Sequence, residues 1–370
     1  MDSRALLAER TGIGTYTWAI ALALAAGNGT EVGLFSPRPL PESLSGAGAE
    51  RLTLHSDHRA IGNVWLQTTL PSRLEAWGAD ALLAALTIGP ARGETPLVSV
   101  VHDLTPLTHP EWHARRTLVG FVPMWERTVE RAARFLCVSH ATARDLAARY
   151  PETDSRIRVA PNGVDAAFFS PSDDAAARER TRERHAAGRP FVLYLGTLEP
   201  RKNVETLVAA WERLRDDAPS RPDLVLAGGV GWKSESLRRR IAQSPWRDGI
   251  HVAGYAPREE ARQLYRAAEA FAYPSLEEGF GLPLLEAMAC GTPAVSSNAE
   301  ALVEVGGDAA VRAPARDVEA LAAALERVLD DEALRAELRA RGPERAAQFS
   351  WEDAARRTAA ALAEAAEVRA

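Results

Sequence analysis

The second half of the chain is punctuated at short, regular intervals. The apolar runs FVLYLG (191–196), DLVLAGG (223–229), IHVAGY (250–255), AFAYPS (270–275), TPAVSS (292–297) and AAVRA (309–313) are bounded by Gly, Pro or Asn. Runs this short read as strands buried on both faces of a parallel sheet. The segments between them read as helices. In 203–217, Val204, Leu207, Val208, Trp211 and Leu214 fall on one helical face. Further helices are predicted near 233–244, 257–268, 283–290 and 315–329. Strand and helix in alternation imply an α/β architecture, a parallel sheet wrapped by helices in the Rossmann manner.

The first half alternates more weakly. Strands are predicted at 31–36, 50–54, 96–104, 134–139 and 156–160, and helices at 14–26, 113–133 and 140–149. Between the halves, PSDDAAARERTRERHAAGRP (171–190) is polar and charged. This divides the chain into a first domain over 1–170, a linker over 171–189, a second domain over 190–350 and a last helix within 351–370. A chain of 370 residues suits two domains.

Composition removes several classes. A formal net charge of −6 gives no general attraction to nucleic acid. Cys137 and Cys290 lie far apart with no CxxC, against a disulfide framework or a structural zinc site, and both fit core thiols in a reducing cytoplasm. No apolar run approaches the roughly 18 residues of a membrane span, and MDSRALLAER lacks the layout of a signal peptide.

The chemistry concentrates in EEGFGLPLLEAMACGTP (277–293) and GTLEPRKN (196–203). Pro283 suits a first helical position, Gly279 and Gly281 let backbone approach a ligand, and a helix N-terminus attracts anions. The loop therefore suits a phosphate. Glu278 and Glu286 flank it, and two acids beside a phosphate make sense if they accept hydrogen bonds from neutral hydroxyls. A glutamate in a first turn also gains from the helix dipole alone. Arg201 and Lys202 lie where a strand gives way to a helix, the edge at which open α/β sheets bind ligands, and their charges fit a diphosphate. A nucleotide sugar presents this sequence of groups: hydroxyls, diphosphate, hydroxyls. His102 stands at the end of PLVSVVHDL (96–104) beside Asp103. His109 and His113 are four apart, but Pro110 disfavours a regular helix through both, and no Asp-x-Asp pair offers a clamp for Mg²⁺. No metal site is expected.

These motifs resemble those of the family 4 retaining glycosyltransferases. EEGFGLPLLEAMACGTPAVSSN is similar to their glutamate-pair signature, GTLEPRKN to their donor-phosphate motif and PNGVD (161–165) to the turn closing their first domain. LAGGVGWK (226–233), GYAP (254–257), TGIGTYT (11–17) and VHDLTPLTHPEWH (101–113) fit too. The resemblance implies a GT-B fold, two Rossmann-like domains facing a cleft, and metal-independent transfer of a hexosyl group with retention. By carry-over, Arg201 and Lys202 bind the donor diphosphate, Glu286 the ribose hydroxyls and Glu278 the hydroxyls of the transferred sugar. Gly279, Phe280, Gly281 and Leu282 border sugar and phosphate, and Gly14 and Gly196 lie in loops of the donor site. His102 approaches the sugar from the other domain, with His102, Glu278, Arg201 and Lys202 as the catalytic set. PRKN and HDLTPL look most like mannosyltransferases that use GDP-mannose. The implied acceptor is a glycan, a lipid-linked saccharide or a small molecule.

One feature departs from this pattern. Family chains open with a buried strand, whereas here Asp2–Arg4 already matches that strand's end, so the first strand is expected to be absent or stunted through a truncated start. Segment 113–134 mixes arginines with Leu118, Phe121, Val122, Met124 and Trp125. It reads either as a helix packed on the sheet and bent at Pro123, or as a weak peripheral contact with the inner membrane face. The competing functions are a sugar-nucleotide epimerase or hydrolase and an inactive sugar-nucleotide-binding protein.

Overall fold

Consecutive parallel strands need long crossovers, and the helical segments of this sequence supply them. The computed structural model describes residues 1–7, 11–27, 29–41, 44, 48–58 and 62–367. The chain divides into one unit of Met1–Gly163 with Ser350–Ala370, and another of Val164–Phe349.

The first unit contains β1 (Val32–Ser36), β2 (Leu52–Ser56), β3 (Leu82–Ala84), β4 (Leu97–Val101), β5 (Arg134–Cys137) and β6 (Ile157–Val159). β2 pairs with β1, and β3, β4, β5 and β6 pair in that order, all parallel. Residues Met1–Ser3 stand between the two groups. The N–H of Phe35 donates to Met1 C=O and that of Ser3 to Phe35 C=O, both at 2.9 Å, while Asp2 N–H donates to Leu83 C=O at 3.0 Å. The expected gap at the centre of the sheet is thus occupied by three residues rather than left empty. The spatial order, β2, β1, residues 1–3, then β3 to β6, reverses at that segment as in doubly wound folds.

The strand Leu82–Ala84 and the helices Gly62–Thr68 and Leu70–Trp77 were not predicted. Helix Arg115–Arg131 carries Pro123 inside it and sets Trp125 and Val129 into the core beside Leu70, Leu97 and Phe135. Helix Trp351–Glu367 packs against helix Gly12–Ala26 and β5, and its Glu364 accepts from Arg134 and Arg158 at 2.7 Å. Among the described residues, no helix is long and apolar enough to cross a membrane.

The second unit contains β7 (Phe191–Leu195), β8 (Asp223–Ala227), β9 (Ile250–Gly254), β10 (Ala270–Tyr273), β11 (Ala294–Ser297) and β12 (Ala310–Ala313), in the order β12-β11-β10-β7-β8-β9. Each coincides with a predicted run, shortened where Gly or Pro ends it. β7, β8, β10 and β11 are buried along nearly their whole length because helices cover both faces. Helix Val204–Asp217 buries the five apolar residues expected of it.

The expected linker is corrected. Residues 175–186 form helix Ala175–Ala186, N-capped by Asp174 and held to helix Arg258–Ala267 and its exit through His185–Glu260 at 3.0 Å and Arg182–Glu269 at 2.5 Å. Only Thr181 and Ala186 of this helix are buried. A helix anchored by charged arms carries almost no apolar periodicity, which is why it read as a linker. The chain changes unit earlier, at Gly163–Val164.

Candidate active site

Strand order in the second unit reverses between β7 and β10, and ligands of open α/β sheets bind beyond the strand ends at such a point. Two loops leave there. The loop after β7 is drawn toward the loop after β8, with Leu198 N–H donating to Gly229 C=O at 2.9 Å and Gly231 N–H to Leu198 C=O at 3.1 Å. The approach requires glycine: a Cβ on Gly228, whose φ is 140°, would stand 2.0 Å from the carbonyl oxygen of Gly196. A short 3₁₀ turn, Pro200–Lys202, follows, and Asn203 adopts the left-handed region (φ 56°) that asparagine tolerates. Asn203 Nδ2 donates to Pro274 C=O at 3.0 Å, and Leu276 N–H to Arg201 C=O at 2.8 Å. The loop after β7 is thereby tied to the loop after β10.

This tie brings the charges together. Lys202 Nζ donates to Glu278 Oε1 at 2.5 Å and to the Tyr273 hydroxyl at 2.9 Å. Arg201 Nη1 donates to Glu278 Oε2 at 2.8 Å and to Glu277 C=O at 3.0 Å, while Nη2 donates to Glu199 Oε1 at 3.1 Å. Lys202 is 8% exposed, and a buried ammonium needs such partners. Burial pushes the Glu278 carboxyl upward, but Lys202 and Arg201 outweigh it and hold the group at about 2. Burial, with repulsion from Arg201, lowers the Lys202 ammonium, and burial raises Glu199.

From Glu278 the chain turns through Gly279–Gly281 into helix Leu282–Ala289. Gly281 is the N-cap with φ 107°, and a Cβ there would meet Leu302 Cδ2 at 2.5 Å, so only glycine fits. Pro283 occupies the second helical position, one later than expected, and the first intrahelical N–H bonds run to Gly281 C=O. Phe280 is buried edge-on against Phe349 at 5.7 Å. Glu286 lies one turn into the helix, half-buried, and its Oε2 accepts from the Tyr265 hydroxyl at 3.1 Å. Burial raises its carboxyl to about 7, with Tyr265 and Arg258 pulling the other way.

The chain has counterparts among known proteins. Residues 10–168 match the family described as Glycosyltransferase Family 4, and residues 176–345 match Glycosyl transferases group 1. O-antigen chain mannosyltransferase B of Escherichia coli is 34% identical over 261 residues, 70% of this chain and 68% of its own length. The alpha-maltose-1-phosphate synthase of Mycolicibacterium smegmatis is 31% identical over 347 residues, 88% of this chain and 86% of its own. The chain belongs to glycosyltransferase family 4. A structure of Anabaena HepE with UDP-glucose superposes with a TM-score of 0.74 at 18% identity, covering 96% of this chain and 97% of the other. That likeness identifies the fold of this glycosyltransferase as GT-B, with two Rossmann-like units.

Within the second unit of the glycosyltransferase, Arg201, Lys202 and Glu278 meet directly, Gly196 directly follows β7, and Gly279, Phe280, Gly281 and Leu282 connect them to Glu286. His102 and Gly14 belong to the first unit. His102 Nε2 lies 2.8 Å from Ala85 C=O, and because a carbonyl only accepts, Nε2 carries the proton and Nδ1 is left as an acceptor. Its ring meets Tyr16 edge-on at 5.0 Å, and burial lowers its pKa. Asp103 accepts from the hydroxyl and N–H of Thr105, and its charge raises the His102 pKa against that burial. Gly14 is buried in the first turn of helix Gly12–Ala26.

Sequence reasoning missed Glu199, Asn203, Tyr265 and Tyr273. Glu199 and Asn203 flank the PRK triplet and were within reach of the motif. The tyrosines looked like strand and helix core, and nothing in their spacing pointed to the carboxylates. Among the described residues, no three His, Cys, Asp or Glu side chains are placed to hold a metal ion.

Proposed function

We propose that this glycosyltransferase moves a mannosyl group from GDP-mannose to a glycan, lipid-linked or small-molecule acceptor, with retention of configuration and without a metal ion. The observation that carries the reading is the convergence of Arg201 and Lys202 on Glu278 at the sheet's switch point. The preference for mannose rests on the mannosyltransferase relative and on the PRKN and HDLTPL motifs.

On this reading the two cations and the amino end of helix Leu282–Ala289 take up the negative charge that grows on the departing diphosphate. Before the donor arrives, Glu278 keeps the buried cations paired and prepositioned. When the diphosphate takes over part of that pairing, a Glu278 oxygen is released to accept from a sugar hydroxyl. Glu286 accepts from the ribose hydroxyls, and the backbone of Gly279–Leu282 borders sugar and phosphate. His102, with Nδ1 as its open acceptor, serves the sugar side, and Gly14 and Gly196 leave room for donor groups. The helix Arg115–Arg131, where Arg115 and Val119 are exposed, offers a weak peripheral contact with the inner face of a membrane from a cytoplasmic enzyme.

The test is nucleotide release from GDP-, UDP- and dTDP-sugars with candidate acceptors, with and without chelator. Release from GDP-mannose that requires acceptor and survives chelation supports the reading. Release without any acceptor favours a hydrolase, and no release from any donor sinks the assignment. Flotation with anionic vesicles tests the membrane contact separately.

A further inference from the structure

Glu286 has a partner that neither the motif nor the proposed donor chemistry requires. Tyr265 is fully buried on helix Arg258–Ala267. Its ring packs against Phe271 at 5.4 Å and Phe169 at 6.1 Å, and its backbone carbonyl accepts from Thr292 Oγ1 at 2.7 Å. Thr292 N–H in turn donates to Ala287 C=O at 3.0 Å, which joins the tyrosine to the end of the helix that bears Glu286. The ring is thus held between two aromatic neighbours, and its oxygen reaches Glu286 Oε2 at 3.1 Å.

A hydroxyl donating to a carboxyl oxygen favours the ionised form. It also anchors one oxygen, so that the other keeps a constant direction. Resting on the reading that Glu286 receives the donor's ribose, we infer that Tyr265 is a positioning residue of the donor site. Its phenol holds the Glu286 carboxylate in one orientation and keeps it an acceptor for the ribose hydroxyls.

The consequence is a pH dependence with a defined sign. Burial apart, Tyr265 and Arg258 on helix Arg258–Ala267 act on the charge of Glu286, and Glu286 in turn raises the thiol of Cys290, the C-cap of its helix. The other elements packed on its helix carry Glu300 and Glu304 on helix Glu300–Gly306, the acids and arginines of helix Glu332–Ala346, and Tyr273 on β10. Arg258 is itself engaged, bonded to Asp165 at 2.5 Å and stacked on Phe168 at 3.9 Å. Burial places the Glu286 carboxyl near neutrality, at about 7, so ribose binding is strong above that pH and fades below it. Losing the phenol removes a group that pulls the pKa down, and the fade moves to higher pH.

The experiment is calorimetric titration of GDP and 2′,3′-dideoxy-GDP into the parent, Tyr265→Phe and Glu286→Gln, from pH 6 to pH 9. The dideoxy analogue carries the same phosphate titration and lacks the ribose hydroxyls, so the ratio of the two affinities isolates Glu286. The midpoint of that ratio should rise by about one pH unit in Tyr265→Phe, since a hydrogen bond to a charged group is worth about one pKa unit or more. The same change lowers GDP affinity about fivefold at pH 7 and less than about twofold at pH 9. In Glu286→Gln the ratio should be flat. An unmoved midpoint in folded Tyr265→Phe overturns the inference alone. A pH-dependent ratio in Glu286→Gln overturns the assignment of Glu286 to the ribose, and the inference with it, even if Tyr265→Phe does not fold. A parent that binds no GDP at any pH overturns the donor reading itself, and the inference with it.

Discussion

The two sides of the Gly279–Gly281 turn carry the same side chain in opposite electrostatic states. At one end Glu278 lies between Lys202 and Arg201, and its carboxyl sits at about 2. At the other, Glu286 has one neutral phenol and a more distant guanidinium, and its carboxyl sits at about 7. Both are withdrawn from water, so desolvation alone pushes each upward. The difference comes from what the neighbouring elements bring. The loop after β7 delivers two cations to Glu278, whereas helix Arg258–Ala267 delivers a tyrosine to Glu286. The first glutamate is built to stay charged, and the second to be charged only above neutrality.

The comparison breaks most visibly at Glu278. Glu278→Ala strands two poorly exposed cations and should cost ~3–5 kcal/mol of stability, read by urea unfolding. A loss near zero would show that the pair is only a surface contact. The sign with pH follows from the lowered carboxyl. Its contribution is complete above the unfolded value of about 4.3, and it disappears as pH falls through about 2. Acid titration of the parent should therefore show a loss in that window that Glu278→Ala lacks.

A somewhat smaller effect is expected on turnover. Lys202→Ala and Arg201→Ala should each reduce kcat by ~10²–10³ while remaining folded, the cost of one well-placed donor to developing charge. Near-parental kcat in both would refute their assignment to the diphosphate. Gly281→Ala addresses the hinge between the two glutamates. With φ at 107° and Leu302 in the way of a new Cβ, it should destabilise by ~1–3 kcal/mol. The smallest expected effect is at Glu286. A carboxyl raised in the folded state destabilises it progressively as pH rises above the unfolded value, fully once pH exceeds the folded one, and has no effect below the unfolded one. Glu286→Gln should thus melt slightly later than the parent at pH 8 and together with it at pH 4. A lower melting point at pH 8 would mean that the buried charge is better compensated than its partners suggest.

Much of this was readable before the fold was known. FVLYLG, DLVLAGG and AFAYPS became β7, β8 and β10 because strands covered on both faces must be continuously apolar. The strand ends then placed GTLEPRKN and EEGFG at one edge, since parallel strands send all their C-termini the same way. The helix Ala175–Ala186 was not readable, because ion pairs hold it and only two of its residues are buried. The strand Leu82–Ala84 was too short to stand out within DALLAAL. Met1–Ser3 show no strand pattern, and they pair only because β1 and β3 leave a slot three residues deep.

The amino-acid sequence by itself determined which loops meet at the switch point, because hydrophobic periodicity sets the strands and the strands set which loops adjoin. It could not determine what each acid does there. That was decided by tertiary structure: a carboxyl's charge depends on desolvation and on partners a few ångströms away, and Lys202, 76 positions from Glu278, and Tyr265, 21 from Glu286, become neighbours only in the folded chain.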